Sequence, residues 1–439
     1  MSRLALTTLD HLKPGIRRPA YDPAALGCGV LHLGVGAFHR AHQAVFTEDA
    51  IEAEGGDWGV VGVSLRHGEA ARRLNPQDGL YTLERRTAEP DHRVIGALRR
   101  VLSAPDQPEA VVDAFSDPDI HIVTLTVTEP GYALAPDGTL DLAHPEVAAD
   151  LAVDGPPGST IGWLAAGLGR RHAQGGPPIT VISCDNLRDN GRKLEAALLA
   201  FADRRDPALA TWVRTEARFP NTMVDAITPA SDEALLQRVE TAIGLRDQAA
   251  VQREPFAQWV IEDRFAGPLP GWSRVGVEIV SDVAAFERLK LHVLNAAHSA
   301  LAYLGPPRGH VLVRRAIADP ELAGFLDAMV LEEVAPALPG LDVAGYWRTV
   351  RARFAEPAVD HRLDQIARDG AAKLRERIHP LILANARAGR PATRLGSVVA
   401  AWLKTQGLAP EQALADPALF AADFRADRAA RAAITGAVA

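Results

Sequence analysis

The chain has 439 residues, 47% of them apolar and 23% charged, a globular composition long enough that one core is expected to split into two domains. Its 47 basic and 55 acidic residues leave a formal charge of −8, which gives no electrostatic reason to expect nucleic acid or an anionic membrane as partner. Two cysteines, Cys28 and Cys184, stand far apart without metal-ligand spacing around them, so neither a disulfide framework nor a metal site is supported.

The N-terminus lacks the apolar core and small-residue cleavage site of a signal peptide, and no uncharged apolar run approaches the roughly 20 residues of a membrane span. A cytoplasmic protein acting on a small molecule is expected. Short runs at residues 30–33, 59–65, 120–127 and 178–183 are apolar on both faces and alternate with helical segments such as 41–53, which predicts a parallel sheet covered by helices. Pro136-Asp137-Gly138 marks a hairpin-like excursion within 132–142. Beyond residue 280 alanine, leucine and arginine dominate at helical spacing. Helices are expected at 283–303, 320–334, 343–354, 358–388 with a break at Pro380, 393–405, and 410–429 as a surface helix. The domains expected are therefore 1–280, α/β, and 281–439, mostly α-helical.

The first strand runs into Gly34-Val35-Gly36, where Gly34 makes a tight turn and Gly36 lets backbone N–H groups approach a pyrophosphate. Phe38-His39-Arg40 stands where the third glycine of the dinucleotide fingerprint would be. The second strand ends in Ser64-Leu65-Arg66 rather than in the carboxylate that reads a ribose 2′-hydroxyl. Arg66 is either a partner for the 2′-phosphate of NADP or a solvated strand end, so NAD is expected with NADP left open.

In residues 286–299 the polar groups are badly placed for a surface face, since Asn295 and His298 sit among leucines and alanines. On an ideal helix His298 lies roughly 80° and Asn295 roughly 140° from Lys290, so one rigid stripe is excluded. Convergence requires the helix end to form a broad wall. Three further clusters mix amide, acidic and aromatic residues: Ser183 to Asn186, Phe219 to Asp225, and Gln258 to Asp263.

Together with Gly34 through Gln43 and Thr126-Val127-Thr128-Glu129-Pro130-Gly131-Tyr132, these motifs resemble, in order over about residues 27–380, the polyol-specific long-chain dehydrogenase/reductase family, which includes mannitol 2-dehydrogenase and fructuronate reductase. The resemblance implies a Rossmann-like NAD(P)-binding domain followed by a helical substrate domain, and a metal-independent hydride transfer. It implies that Lys290 is the general base, that Asn186 and Asn295 hold the developing alkoxide, that His298 positions the hydroxyl, and that Glu287 passes the proton to solvent. Asp225 and Arg368 match positions that contact the polyol chain, while Gly34, Gly36, Phe38, His39, Arg40, Ser64, Arg66, Thr128 and Glu129 are the cofactor-side candidates. A mannitol-type polyol and its ketose are the expected substrates, with a keto-hexuronate as the alternative and a monomer as the expected state. A non-catalytic nucleotide sensor would show damage at the base or the amide donors, yet Lys290, Asn186, Asn295 and His298 are all present.

Overall fold

Strands of mostly small and β-branched residues pair in parallel to make the central sheet of a computed structural model that describes residues 1–436. The chain divides into two compact units, Met1–Val283 and a second beginning at Ala284. In the first unit the strands, in chain order, are β1 (Cys28–Leu33), β2 (Gly59–Ser64), β3 (Tyr81–Arg85), β4 (Asp91–Ile95), β5 (Leu98–Ser103), β6 (Ile122–Leu125), β7 (Ile179–Ser183), β8 (Ala217–Arg218), β9 (Thr222–Asp225), β10 (Val251–Arg253), β11 (Gln258–Glu262) and β12 (Glu278–Val280).

Six of them form the main sheet in the order β5-β2-β1-β6-β7-β8, every pair parallel. The order reverses beside β1, so the loops leaving the carboxyl ends of β1 and β6 diverge there and leave a crevice suited to a ligand. One face is sealed by a core that includes Phe115, Trp163, Leu168 and Phe201 from the helices Pro108–Ser116, Thr160–Ala173 and Asn190–Arg205. The other carries Val45, Phe46, Tyr81, Trp259 and Trp272. Two three-stranded sheets accompany it, β10-β3-β4 and β12-β11-β9. The turn at Pro136–Gly138 closes as expected, with Ala135 and Thr139 joined backbone to backbone at 2.8 Å.

The helix expected at 41–53 is two helices, Ala37–Ala41 and Gln43–Glu54, because His42 leaves helical geometry at φ −126°, ψ −87°. This break turns His42 so that its Nε2 lies 2.9 Å from the Gln258 carbonyl oxygen.

The second unit is helical. Val343–Phe354 and Thr393–Thr405 form where the apolar period placed them. The span 283–303 is helical but not uniformly α: Ala284–Leu289 and Ala296–Leu304 flank a π-helical turn at Lys290–Asn295. Residues Ala296 to Tyr303 are buried on all sides, which makes this the central helix of the unit's core. The stretch expected at 358–388 becomes helical only from Leu363 and breaks at Ile378, two residues before Pro380, and again at Asp369, whose φ is +56°, giving Leu363–Ile366, Gly370–Arg377 and His379–Arg387.

The tail corrects the expectation of a surface helix at 410–429. It forms three short helices, Pro410–Ala413, Ala422–Ala426 and Arg428–Thr435, interrupted where Asp416 accepts the Ala418 amide in a turn. The interruption lets Phe420 and Phe424 turn inward, both fully buried and packed at 4.8 Å on His379. Phe420→Ala is expected to lower stability by about 3–5 kcal/mol in denaturant unfolding, the usual cost of emptying a buried aromatic site; a loss below about 1 kcal/mol would mean the tail is not part of the core.

Candidate active site

At the carboxyl end of β1, Gly34 takes φ +97° and donates its N–H to Val63 at 2.9 Å, and Gly36 then donates to the Gly34 carbonyl at 2.7 Å. A side chain at Gly34 would suffer twice, from the left-handed backbone and from overlap with the Thr126 carbonyl oxygen. The Gly34 carbonyl is gripped from below: Thr126 Oγ1 donates to it at 2.7 Å, and His32 Nε2 lies 3.0 Å away. The result is a rigid turn with no side chain where a phosphate would approach, which fits the pyrophosphate of a dinucleotide.

The following residues serve the turn from inside. His39 is buried and stacked on His32, ring centroids 3.4 Å apart. Phe38 stacks on His42 at 5.0 Å. Arg40 bonds the Gly36 and Ala249 carbonyls and lies over the Tyr81 ring. The His39 and Arg40 side chains, candidates for ligand contact from sequence, thus point into the protein and hold the turn. At the end of β2, Ser64 Oγ donates to the His67 carbonyl, and Arg66 makes a two-pronged pair with Glu146 at 2.5 and 3.0 Å. Arg66 is therefore a paired strand-end cation.

A group whose part the sequence did not disclose is Asp185. Nearly buried after β7, it accepts the Val127 and Thr128 amides at 3.0 and 2.9 Å and the Tyr132 hydroxyl at 2.7 Å. Burial raises its pKa, opposed by these same donors. The bonds hold Thr128 at φ +67°, an unfavourable conformation for a residue with a side chain, and present Thr128 and Glu129 on the exposed rim. Asn186, next in chain, is exposed at the carboxyl end of the sheet. Asn190 fastens this corner, its amide reaching the Ser183 carbonyl and Thr222 Oγ1 at 3.2 and 3.0 Å, so that β9 and the buried Asp225 are tied to the end of β7. Asp185 lies within a readable motif and Asn190 just beyond it, and only the fold shows that they organise the loops.

In the second unit the π turn resolves the angular misfit of Lys290, Asn295 and His298. A π turn absorbs one extra residue, closing i→i+5 in place of i→i+4, so positions 290, 295 and 298 take the angular spacing of i, i+4 and i+7, an arc of roughly 60°. The three residues share one stripe. Lys290 and Asn295 are half-buried, and His298 is buried. The turn is braced by Arg377, which donates to the Asn295 carbonyl at 3.3 Å and to Ser299 Oγ at 3.2 Å, while its own carbonyl lies 3.0 Å from His292 Nδ1.

His298 stacks on Phe354 at 4.3 Å and meets His361 edge-on at 4.9 Å. Burial, then the neighbouring His361, Arg353 and Arg377, drive its pKa well below the ordinary range, so the ring is neutral. Its buried Nε2 has no hydrogen-bond partner among the described residues, which a substrate hydroxyl would supply. Glu287 is half-buried one turn before Lys290. Arg368 is exposed in the turn before Gly370–Arg377, and nearby Lys373 donates to the Ile366 carbonyl at 3.1 Å. Arg362 is held by Asp364 at the surface. Among the described residues no group of three or more His, Cys, Asp or Glu side chains could hold a metal ion.

Residues 28–274 match the family model of the mannitol dehydrogenase Rossmann domain, and residues 282–420 that of the mannitol dehydrogenase C-terminal domain. The chain belongs to the mannitol dehydrogenase family. It is 38% identical to D-mannonate oxidoreductase of Escherichia coli over 92% of this chain and 85% of that protein. It is 40% identical to mannitol 2-dehydrogenase of Phaeosphaeria nodorum over 88% and 70% of the two chains. The solved ternary complex of Pseudomonas fluorescens mannitol 2-dehydrogenase with NAD and D-mannitol is similar at 34% identity and a TM-score of 0.87, covering 99% of this chain and 96% of that one. No helix among the described residues is long and apolar enough to cross a membrane.

Gly34→Ala is expected to weaken NADH binding by about tenfold or more, the equivalent of roughly 1.4 kcal/mol. Fluorescence quenching titration measures it, and undiminished affinity would remove the turn from the cofactor site.

Proposed function

We propose that the protein is an NAD-dependent oxidoreductase interconverting a linear, mannitol-type polyol and its ketose, with Lys290 as the general base. The observation that carries the reading is the π turn, whose extra residue gives positions 290, 295 and 298 a common stripe of the helix, with the imidazole Nε2 of His298 unpartnered among the described residues. Family membership and the similarity to a mannitol 2-dehydrogenase structure in complex with NAD and D-mannitol support it.

Oxidising a secondary alcohol requires the hydroxyl proton to leave as hydride leaves carbon, so a base must reach that oxygen. The Gly34–Gly36 turn, with Thr128 and Glu129, would hold NAD, which would supply the hydride acceptor. Lys290 takes the proton in its neutral form, which requires its pKa to fall toward the working pH. Asn186 and Asn295 donate their amide hydrogens to the oxygen as negative charge grows, a neutral stabilisation that leaves the lysine free to titrate. The neutral ring of His298 orients the hydroxyl, Glu287 relays the proton outward, and Asp225 and Arg368 contact the remaining hydroxyls. The protein acts as a monomer in the cytoplasm, where its two free cysteines, one buried and one half-buried, stay reduced.

A second reading is reduction of a keto-hexuronate to a hexonate. The similarity to D-mannonate oxidoreductase supports it. Steady-state assays of mannitol, arabinitol, sorbitol, fructose, fructuronate and tagaturonate with NAD(H) and NADP(H) decide between the two, and turnover of none of them overturns both.

Lys290→Ala should lower kcat by at least about a hundredfold at neutral pH, the scale of a lost general base; near-normal turnover would exclude Lys290 as the base. Treatment with EDTA should leave kcat unchanged, whereas loss followed by recovery on adding zinc would refute a metal-independent reaction.

A further inference from the structure

The small sheet β10-β3-β4 carries an unusual load on one face. In register, Arg253 lies opposite Arg85, Arg85 opposite Asp91, and Arg93 opposite Leu83, so alternation brings three arginines to the same side. Arg17 arrives from the N-terminal segment, bridged backbone to backbone with Arg93, and Asp49 from the helix Gln43–Glu54. A cavity of about 200 Å³ lies among these five arginine and aspartate side chains and Asp91, all within the first unit.

The charges pair off unevenly. Arg85 is held by Asp91 through Nε at 2.8 Å, while Arg93 and Arg17 share Asp49 and Glu52 between them. Arg253 makes no ion pair among the described residues. Of its five N–H groups one is used, Nη1 donating to the Ala41 carbonyl at 2.9 Å, and its Nε is buried without a partner. Yet the residue is only 8% exposed. Arg93, at 9%, also keeps its Nε without a hydrogen bond. Burial and the adjacent Arg85 and Arg93 lower the Arg253 pKa to about 10, with Asp49 opposing, so the side chain stays charged at neutral pH. A buried, unmatched cation facing a polar cavity is a costly arrangement unless an anion completes it.

We propose that this cavity binds a small oxyanion, a phosphate group either free or as a sugar monophosphate, with Arg253 as the principal ligand and Arg93 and Arg85 beside it. Guanidinium groups that converge from three strands and the N-terminal segment suit tetrahedrally disposed oxygens better than a single planar carboxylate. The volume accommodates a phosphate and a few waters, each taking roughly 30 Å³. The site is independent of the oxidoreductase reading, since none of its residues is assigned to the cofactor or the reacting alcohol.

Calorimetric titration of the full chain with inorganic phosphate, at ionic strength fixed by potassium chloride, tests the proposal. One equivalent should bind, and Arg253→Met should weaken binding by about tenfold or more, as expected for losing a charge-assisted ligand. Asp49→Asn should act in the opposite sense, tightening binding several-fold because it removes a carboxylate charge from the wall of the cavity. A cooperative thermal melt confirms that each variant is folded; if Arg253→Met does not fold, Asp49→Asn decides. Glucose 6-phosphate binding more tightly than phosphate would identify the ester as the ligand, and equal or weaker binding the free ion. Absence of saturable heat over the chloride control, or an Asp49→Asn variant that binds phosphate no more tightly than the parent, would overturn the site.

Discussion

A single additional residue in one helical turn sets the geometry on which the proposed site in the second unit rests. In an unbroken α-helix Lys290 and Asn295 would point about 140° apart and could not address one oxygen. The π turn at Lys290–Asn295 closes that gap at the expense of regular backbone hydrogen bonding. Arg377 offsets part of the cost by bonding the Asn295 carbonyl and Ser299 Oγ, so Gly370–Arg377 acts as a strut for the turn. The residues that follow, Ala296 to Tyr303, are buried on every side, so the segment is anchored in the core of its unit.

In the first unit the equivalent constraint is Asp185. A nearly buried carboxylate that accepts two backbone amides and a tyrosine hydroxyl locks the loop after β6 into a conformation that Thr128 would not adopt by itself. The loop conformation and the exposed position of Asn186 follow from the same corner of the sheet. Rigidity is obtained here by polar groups inside the protein, and the donors around Asp185 oppose the effect of its burial.

How much of this is legible in the sequence depends on which residues do the folding. The strands of the main sheet read clearly where both faces are apolar, as in β2 and β7, and the helices Val343–Phe354 and Thr393–Thr405 follow their apolar period. Strands β4 and β10 do not read, because the buried Arg93 and Arg253 stand where an apolar residue would mark the covered side of a strand. The tail misleads for the opposite reason: alanine-rich composition favours continuous helix, whereas burial of Phe420 and Phe424 breaks it. At the candidate site the residue types are visible in their motifs. The extra residue is not, since Lys-Leu-His-Val-Leu-Asn has nothing that distinguishes a π turn from an α turn, and its trace is the misplacement of Asn295 and His298 on an ideal wheel.

The paired imidazoles beneath the glycine turn carry a consequence for the protein's tolerance of acid. His32 and His39 lie face to face in the interior, and burial pulls the His32 pKa down to about 3 and that of His39 well below the usual value of 6.5. Each ring takes up a proton far more readily in the unfolded chain, so their contribution to stability is complete above about pH 6.5 and erodes as the medium falls from there toward pH 3. The keel of the glycine turn is thus made of groups that tolerate alkali and not acidity, and souring surroundings would undermine that end of the first unit from within.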